Sequence, residues 1–460
     1  MFIPTFSTQG RFCATCSPPF FYSKFKSYIE SENIESIQVK AEEQDVIFSG
    51  DEITYQTLRR FNKIINRDFV GFNRESQFQC QFQMNPLWER HINPRELKKV
   101  LDIENKQARI LALADLVEDN LASISQTDPG PNIIILALTP DMVKLADTVR
   151  VSGNFFLDLR REIKARAMRQ PTAIPVQLIR RRTVEGKSNV QEIATRAWNF
   201  CTAQYYKAGG IPWRPVTLES DTCYIGVSFY VAQTSDDSLT MRSSVAQAFD
   251  YLGQGLVLRG QQFEWDADKL GKTPHLTKER AKKLISDTLK EYIKVRGNPP
   301  SRVVVHKTSK FWGGDKGEFN EIDGFYEGIE SVFPGCEGDF VALDQSGVRL
   351  FREGNYPPLR GTYFCVENEQ HFLYTMGFIP YLETYPRPYV PEPWQIIQHI
   401  GGSSPKDLLR EVLALTKMNV NNCSFADGIP ITLSFSRKVG EIMKHIPEDG
   451  IAQSQYKFYM

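Results

Sequence analysis

The segment DTCYIGVSFYVA, Asp221–Ala232, limits what this chain can fold into more than any other. Its apolar residues are nearly continuous rather than alternating, so a strand here carries apolar side chains on both faces. Such a strand lies in the middle of a sheet covered on both sides, which calls for helices above and below it. Near its middle sits Ser228, a hydroxyl in an otherwise apolar run.

The surrounding sequence supplies those layers. Thr277–Val295 carries Ala281, Leu284, Ile285, Leu289 and Ile293, the spacing of an amphipathic helix, and Gly297, Pro299 and Pro300 end it. SRVVVHKTS follows as the next buried strand. GQGLVLRGQQFEW predicts further strands joined by glycine turns, and DFVALDQSGVRLFRE and GTYFCVENEQHFLYTMGF predict two more. Closing helices are expected near Asp407–Leu415 and Ser434–His445.

Upstream, a helical pattern runs from Pro94 through Ile124 and breaks at DPGP, Asp128–Pro131. The strand Asn132–Leu138 follows at once. TPDMVKLADTVR then opens like a capped helix, and Ala173–Ile179 reads as a short strand. Helix, strand, helix, strand predicts a parallel, Rossmann-like α/β layer. GGIPW, Gly209–Trp213, marks a change of character. The chain therefore divides into 1–212, of which about the first 125 residues are hard to read, and 213–460.

Bulk properties narrow the function. At 460 residues and 41% hydrophobic content the chain can build two cores. Its formal net charge is zero, so nucleic-acid affinity must come from a local patch. No apolar run is long enough to span a membrane, and the start lacks the order of a signal peptide, which predicts a cytoplasmic protein with reduced cysteines. Cys13 and Cys16 form a CxxC, but no second pair completes a zinc site.

One local patch stands out. LRREIKARAMRQPTAIPVQLIRRRT holds Arg160, Arg161, Lys164, Arg166, Arg169, Arg180, Arg181 and Arg182 against the single acid Glu162. Arg160 and Lys164 are four apart and share a helix face, able to converge on one phosphate. The competing account is a solvated helix surface. Lys207 precedes the paired glycines of AQYYKAGGIPW, where a capped helix end is the ordinary explanation. Tyr205 and Tyr206 could stack a base, though adjacent residues face different ways and core packing suits at least one.

Carboxylates are missing where metal chemistry would need them. Two-metal phosphodiester cleavage requires several acids on neighbouring strands. Ser228 on one strand and His306–Ser309 on the other supply none. Asp221 lies seven residues from Ser228, roughly 23 Å along a strand. Glu264, Asp266 and Asp315 fall in loops, and His306 has no nucleophile to serve.

These pieces, in this order, resemble the MID and PIWI domains of a short prokaryotic Argonaute. IPVQLI, YYKAGGIPW, YIGVSFY with VVVHKTSKFW, and LALTKMNVNNCSFADGIPITLSFSRKVGEIM carry the resemblance, which is strongest from about Pro131 onward. It implies a Rossmann-like MID domain followed by an RNase H-like PIWI domain. It further implies that Arg160, Lys164, Gln177 and Lys207 hold the 5′-phosphate of a guide strand. Arg180, Arg181 or Arg182 would compensate for Ala203, where relatives often have another lysine. The terminal carboxylate of Met460, together with Gln177, is expected to hold Mg²⁺ at that phosphate.

In slicing members of the family a DEDX tetrad binds metal in the PIWI sheet. Its first and second aspartates match Ser228 and Thr308 here, and its last position falls at Phe435 or Ser436. A hydroxyl cannot replace a carboxylate as a hard, charged Mg²⁺ ligand. The resemblance thus implies a nuclease-inactive subunit that binds a guide (RNA, with single-stranded DNA as target) and works with an APAZ-containing effector of TIR, sirtuin-like or nuclease type in defence against invaders. Two alternatives stand beside it: a guided nuclease using acids outside these positions, and an α/β interaction protein that binds no nucleic acid.

Overall fold

A computed structural model describes Phe2–Ile3 and most of the chain from Cys80 onward, apart from short stretches within 81–84, 153–154, 186–192, 216, 234–238, 249–254, 353–356, 368, 380–388, 422–426 and 448–449. Cys13 and Cys16 lie outside the described residues.

In the first part, α1 (Pro94–Leu101) and α2 (Lys106–Ser125) precede β1 (Ile134–Leu138) and α3 (Pro140–Ala146). A hairpin of β2 (Thr148–Ser152) and β3 (Phe155–Asp158) leads into α4 (Leu159–Met168), β4 (Val176–Arg180), the short α5 (Arg181–Glu185) and α6 (Ile193–Lys207). β1 and β4 pair in parallel with Ile135 opposite Gln177, the expected Rossmann-like arrangement. Ile110, Leu113, Ala114, Val117 and Leu121 form one stripe of α2 and bury against Leu159 and Ile163 of α4 and Val176 of β4.

The helical pattern over Pro94–Ile124 is two helices, not one. Asn105 stops the first by capping the second, its side chain accepting from Ala108 N. The hairpin of β2 and β3 has no counterpart in the sequence expectations either.

The second part is an eight-stranded mixed sheet. Its strands are β5 (Thr222–Gln233), β6 (Leu239–Ala248), β7 (Leu256–Glu264), β8 (Arg302–Lys307), β9 (Glu337–Gln345), β10 (Tyr363–Val366), β11 (Gln370–Leu373) and β12 (Trp394–Ile400), in the order β10-β11-β12-β9-β8-β5-β6-β7. β8 lies between β5 and β9, parallel to both. Crossover helices α7 (Lys278–Arg296) and α8 (Glu321–Val332) join these parallel strands, and α9 (Pro405–Leu415) and α10 (Ile431–Met443) close the chain.

The near-continuous apolar run of β5 is sorted by its two-residue period. Cys223, Ile225 and Val227, with Val303 and Val305 of β8, meet Ala281, Leu284, Ile285 and Leu289 of α7. Tyr224 and Tyr230, with Val304, meet Leu408 and Val412 of α9 and Ile431, Leu433 and Val439 of α10 on the opposite face. Gly226 belongs to that second face, and a Cβ there would lie 1.8 Å from the main-chain oxygen of Thr432. Only glycine admits the start of α10 so close to the sheet.

Other sequence expectations change in detail. GQGLVLRGQQFEW is a single strand, because the register slips opposite Gly260 and the glycine serves a β-bulge rather than a turn. GTYFCVENEQHFLYTMGF is a hairpin turning at Glu367, whose φ is 53°. In DFVALDQSGVRLFRE only the first part is strand. β6, β12 and α8 had no clear sequence signal.

Candidate functional site

Asp158 starts α4 by accepting from Arg161 N at 2.9 Å. That start places Arg160 and Lys164 on one face, four residues apart. Lys164 is 4% exposed, and its Nζ donates to the main-chain oxygen of Met460. Lys207 ends α6, is 1% exposed, and donates to Val176 O at 3.0 Å and Gln177 Oε1 at 2.6 Å. The four residues implied to hold a phosphate therefore come together from α4, β4 and α6, with Arg160 nearest solvent.

The electrostatics follow from burial. Desolvation, then the charges of Arg160 and Lys207, holds Lys164 well below the usual lysine range. Burial and Arg160 bring Lys207 down to about 7. Neither amine has an acidic side chain as hydrogen-bond partner among the described residues. Lys164 bonds an oxygen of the Met460 terminal carboxylate and Lys207 only main-chain and amide oxygens, so with Arg160 beside them the basic groups outnumber the acid and the site suits an anion.

The tail builds part of this pocket. Gln453 Nε2 donates to Met168 O at the end of α4, Tyr456 N donates to Gly255 O, and Tyr456, Phe458, Tyr459 and Met460 are all buried. The oxygens expected to hold a cation, those of Gln177 and Met460, both accept from lysine amines.

The remaining arginines do not form one basic face. Arg166 is buried and bonded to Glu162, Asp115 and Glu118, and Arg169 pairs with Glu118 at 2.6 Å. Acids of α2 thus neutralise the back of α4, while His445 meets Glu162 Oε2 at 3.1 Å. Arg180 bonds Asp147 at 2.9 Å and lies close enough to Arg160 to disfavour its charge, after desolvation and against Asp158. Arg181 turns to Glu185, and Arg182 is exposed on α5.

Sequence reasoning missed Lys438 of α10. Lys438 is exposed, yet desolvation lowers its pKa, with Asp427 opposing and Arg160 adding to the shift, which sets it near Arg160 from the other half of the chain. A lysine on a closing helix gives no sign of this in sequence. Tyr205 and Tyr206 are both core residues, and an added Cβ on Gly210 would strike the Tyr205 ring at 2.4 Å.

In the sheet, β8 pairs His306 with Gly226, where the pairing with β5 ends, and Thr308 lies just beyond the strand and is exposed, so the structure does not bring it opposite Ser228. Thr432 contacts Gly226 and Gly440 contacts Tyr230, so α10 runs along β5. Eight helical residues rise about 12 Å and four strand residues about 13 Å, which sets Ser436 over Ser228. Ser436 is fully buried with its Oγ bonded to Leu433 O at 3.1 Å. Phe435 instead turns into the core and stacks on Tyr456 at 4.0 Å.

Ser228 and Ser436 thus lie along the contact of β5 with α10. His306 beside them is buried, bonded to Thr432 Oγ1 at 2.9 Å, and held down to about 3 by burial and Arg302, so it stays neutral. Asp221, Glu264, Asp266 and Asp315 are exposed. Buried acids are engaged elsewhere: Glu321 with Lys307 at 2.7 Å, and Asp339 and Glu411 with Arg302 at 2.8 and 2.6 Å. Among the described residues, no group of three or more His, Cys, Asp or Glu could hold a metal ion.

No protein-family model matches the chain, and no curated protein matches it. Among solved structures it is similar to that of Clostridium butyricum Argonaute bound to a guide DNA (5′ deoxycytidine) and a 19-mer target DNA. The TM-score is 0.50 at 15% identity, over 73% of this chain and 41% of that one. The chain spans about two fifths of that neighbour's length. At this identity the likeness establishes the fold, a Rossmann-like layer followed by a mixed RNase H-like sheet in the manner of MID and PIWI domains.

Proposed function

We propose that this chain is a guide-binding module that recognises complementary nucleic acid without cutting it. The observation that carries the reading is the pairing of two features: buried Lys164 and Lys207 come together with Gln177 and Arg160, while the contact of β5 with α10 carries Ser228 and Ser436 and no metal-holding cluster of His, Cys, Asp or Glu occurs among the described residues. Arg180 stands at the carboxyl end of β4, where ligands of α/β layers collect, while Gln177 lies near the strand's start.

In this reading residues 1–212 hold the 5′-phosphate of the guide, and residues 213–460 cradle the guide–target duplex. Base pairing supplies specificity, and backbone contacts supply salt-dependent affinity. The similar Argonaute structure, bound to guide and target DNA, supports nucleic acid as the ligand. The resemblance of sequence segments adds an RNA guide, a single-stranded DNA target, a cytoplasmic location and an APAZ-effector partner whose output is prokaryotic immunity. No helix among the described residues is long and apolar enough to cross a membrane.

The test is binding by the Lys164→Ala, Gln177→Ala double variant. It should lose affinity for a 5′-phosphorylated strand far more than for its 5′-hydroxyl counterpart. An equal loss for both would remove the pocket assignment. Cleavage of a labelled target opposite the guide, in Mg²⁺ or Mn²⁺, would replace the reading with a guided nuclease.

A further inference from the structure

The helix α4 has a second face. Arg160 and Lys164 serve the phosphate pocket, while Ala165, Arg166 and Arg169 lie on the opposite side of the helix. There they meet His445 and Ile446, just past the end of α10, and Ile451 of the tail, around a cavity of about 210 Å³. Ile451 is 59% exposed, so the cavity has an apolar rim open to solvent. An apolar cavity of roughly 150 Å³ already takes a benzene ring, so this one has room for a single heterocycle.

The cavity holds an unmet hydrogen-bonding group. The His445 side chain is 1% exposed, and its Nε2 has no hydrogen-bond partner. The other ring nitrogen, Nδ1, lies 3.1 Å from Glu162 Oε2. Burial works against the charge of Glu162, but hydrogen bonds from His445 and Arg166 hold its carboxyl below the usual range. An ionised carboxylate only accepts, so Nδ1 carries the proton and Nε2 of the neutral ring presents its lone pair. A buried acceptor left unpaired is costly, and an N–H from a ligand removes that cost.

Charge and donors narrow the ligand. Arg166 is bonded to Glu162, Asp115 and Glu118, and Arg169 to Glu118, so three carboxylates face two guanidiniums. That balance leaves no pull on a small anion. It does leave donors. Arg166 reaches these acids through Nε and Nη1 and Arg169 through Nε and Nη2, so Nη2 of the first and Nη1 of the second remain. One acceptor, guanidinium donors and the apolar sides of Ala165, Ile446 and Ile451 suit a flat, uncharged ring with an N–H beside a carbonyl.

We propose that this cavity is a second binding site, for a free, uncharged nitrogen heterocycle of the pyrimidine-base type. The ring N–H donates to His445 Nε2, the adjacent carbonyl accepts from Arg166 or Arg169, and the ring packs on Ile446 and Ile451. The site is separate from the phosphate pocket and does not require a strand to be bound.

Equilibrium dialysis of the full chain against uracil, at mildly alkaline pH where imidazoles are neutral, measures the site. One uracil should bind per chain, and 1,3-dimethyluracil, which has no N–H to donate, should bind about tenfold or more weaker. Equal binding of the two rings, or no uracil bound at millimolar concentration, would overturn the proposal. His445→Phe should abolish the difference between the rings. Because that change also strips Glu162 of a partner, Ile451→Trp at the exposed rim is the second variant. It leaves the histidine in place and should weaken both rings together. Uracil uptake unaltered in both variants would place the ring elsewhere and defeat the proposal. A saturating 5′-phosphorylated strand should leave uracil uptake unchanged, and competition between the two would assign the ring to the phosphate pocket instead.

Discussion

Lys164 and Met460 meet through one hydrogen bond although 296 residues separate them in sequence. The bond depends on a tail that is packed rather than draped. Tyr456 stacks on Phe435 at 4.0 Å, and Asn421 Nδ2 donates to its hydroxyl at 3.1 Å. The anion pocket therefore inherits its geometry from the core of the second part.

Tyr456→Ala should accordingly do two things. Removing a 2%-exposed ring from this stack is expected to cost about 3 to 5 kcal/mol of stability. It should also reduce the preference for a 5′-phosphorylated strand, because Tyr456 packs the tail that carries Met460 to Lys164. Chemical denaturation reads the first effect and paired binding titrations the second. An unchanged preference in a destabilised variant would mean that the tail does not position the pocket.

Lys207 predicts opposite pH trends for stability and binding. Its folded value is about 7, against an ordinary lysine value of 10.5. Between those limits the unfolded chain holds the proton and the folded chain does not, so more protons are bound on unfolding. Stability of the ligand-free protein therefore rises with pH across this window, by up to about 1.4 kcal/mol per unit from this group. A bound phosphate restores the charge, so affinity should fall over the same window, by up to about tenfold per unit. The phosphate itself, with a second pKa near 6, is already dianionic there. Denaturation and binding measured across the window check both signs, and Lys207→Arg should flatten both. Parallel trends would contradict the assignment.

Part of this arrangement is legible in the amino-acid sequence. The unbroken run of β5 announces a strand covered on both faces, and the spacing of Arg160 and Lys164 announces a shared helix face, because both signals are local. What stays hidden arises from contacts between distant segments. Asp115 and Glu118 neutralise Arg166 and Arg169, so the basic run looks more cationic in sequence than it is in space. Gly226 reads as an ordinary strand glycine until Thr432 is found against it. The same contact decides between Phe435 and Ser436, which the linear sequence does not separate.

Lys438 of the closing helix lies near Arg160, so on the phosphate reading its removal should be felt by the ligand rather than the fold. Lys438→Ala is expected to weaken binding of a 5′-phosphorylated strand by about 1 kcal/mol, roughly fivefold. The dependence of affinity on salt should shallow by about 0.7 in logarithmic slope, as for one lost contact to a single strand. Titrations at several salt concentrations check this. An unchanged slope would place Lys438 outside the phosphate's reach.

Restoring carboxylates to the sheet should not restore cleavage. Ser228→Asp with Thr308→Asp would add one carboxylate in β5 and another just past the end of β8, and burying the first costs stability unless a metal joins it. Cleavage by two metals needs further acids around the same point. Ser436 over Ser228 is fully buried with its hydroxyl turned back to its own helix, and Phe435 is stacked in the core. Neither can supply a ligand, and Ser436→Asp would bury a charge beside the neutral His306. The double variant is therefore expected to be less stable than the parent, to regain part of that stability in Mn²⁺, and to leave a guide-paired target intact. Metal-dependent cutting of the target opposite the guide by this variant would show that the remaining ligands are present after all, in acids that the register of β5, β8 and α10 does not bring to Ser228.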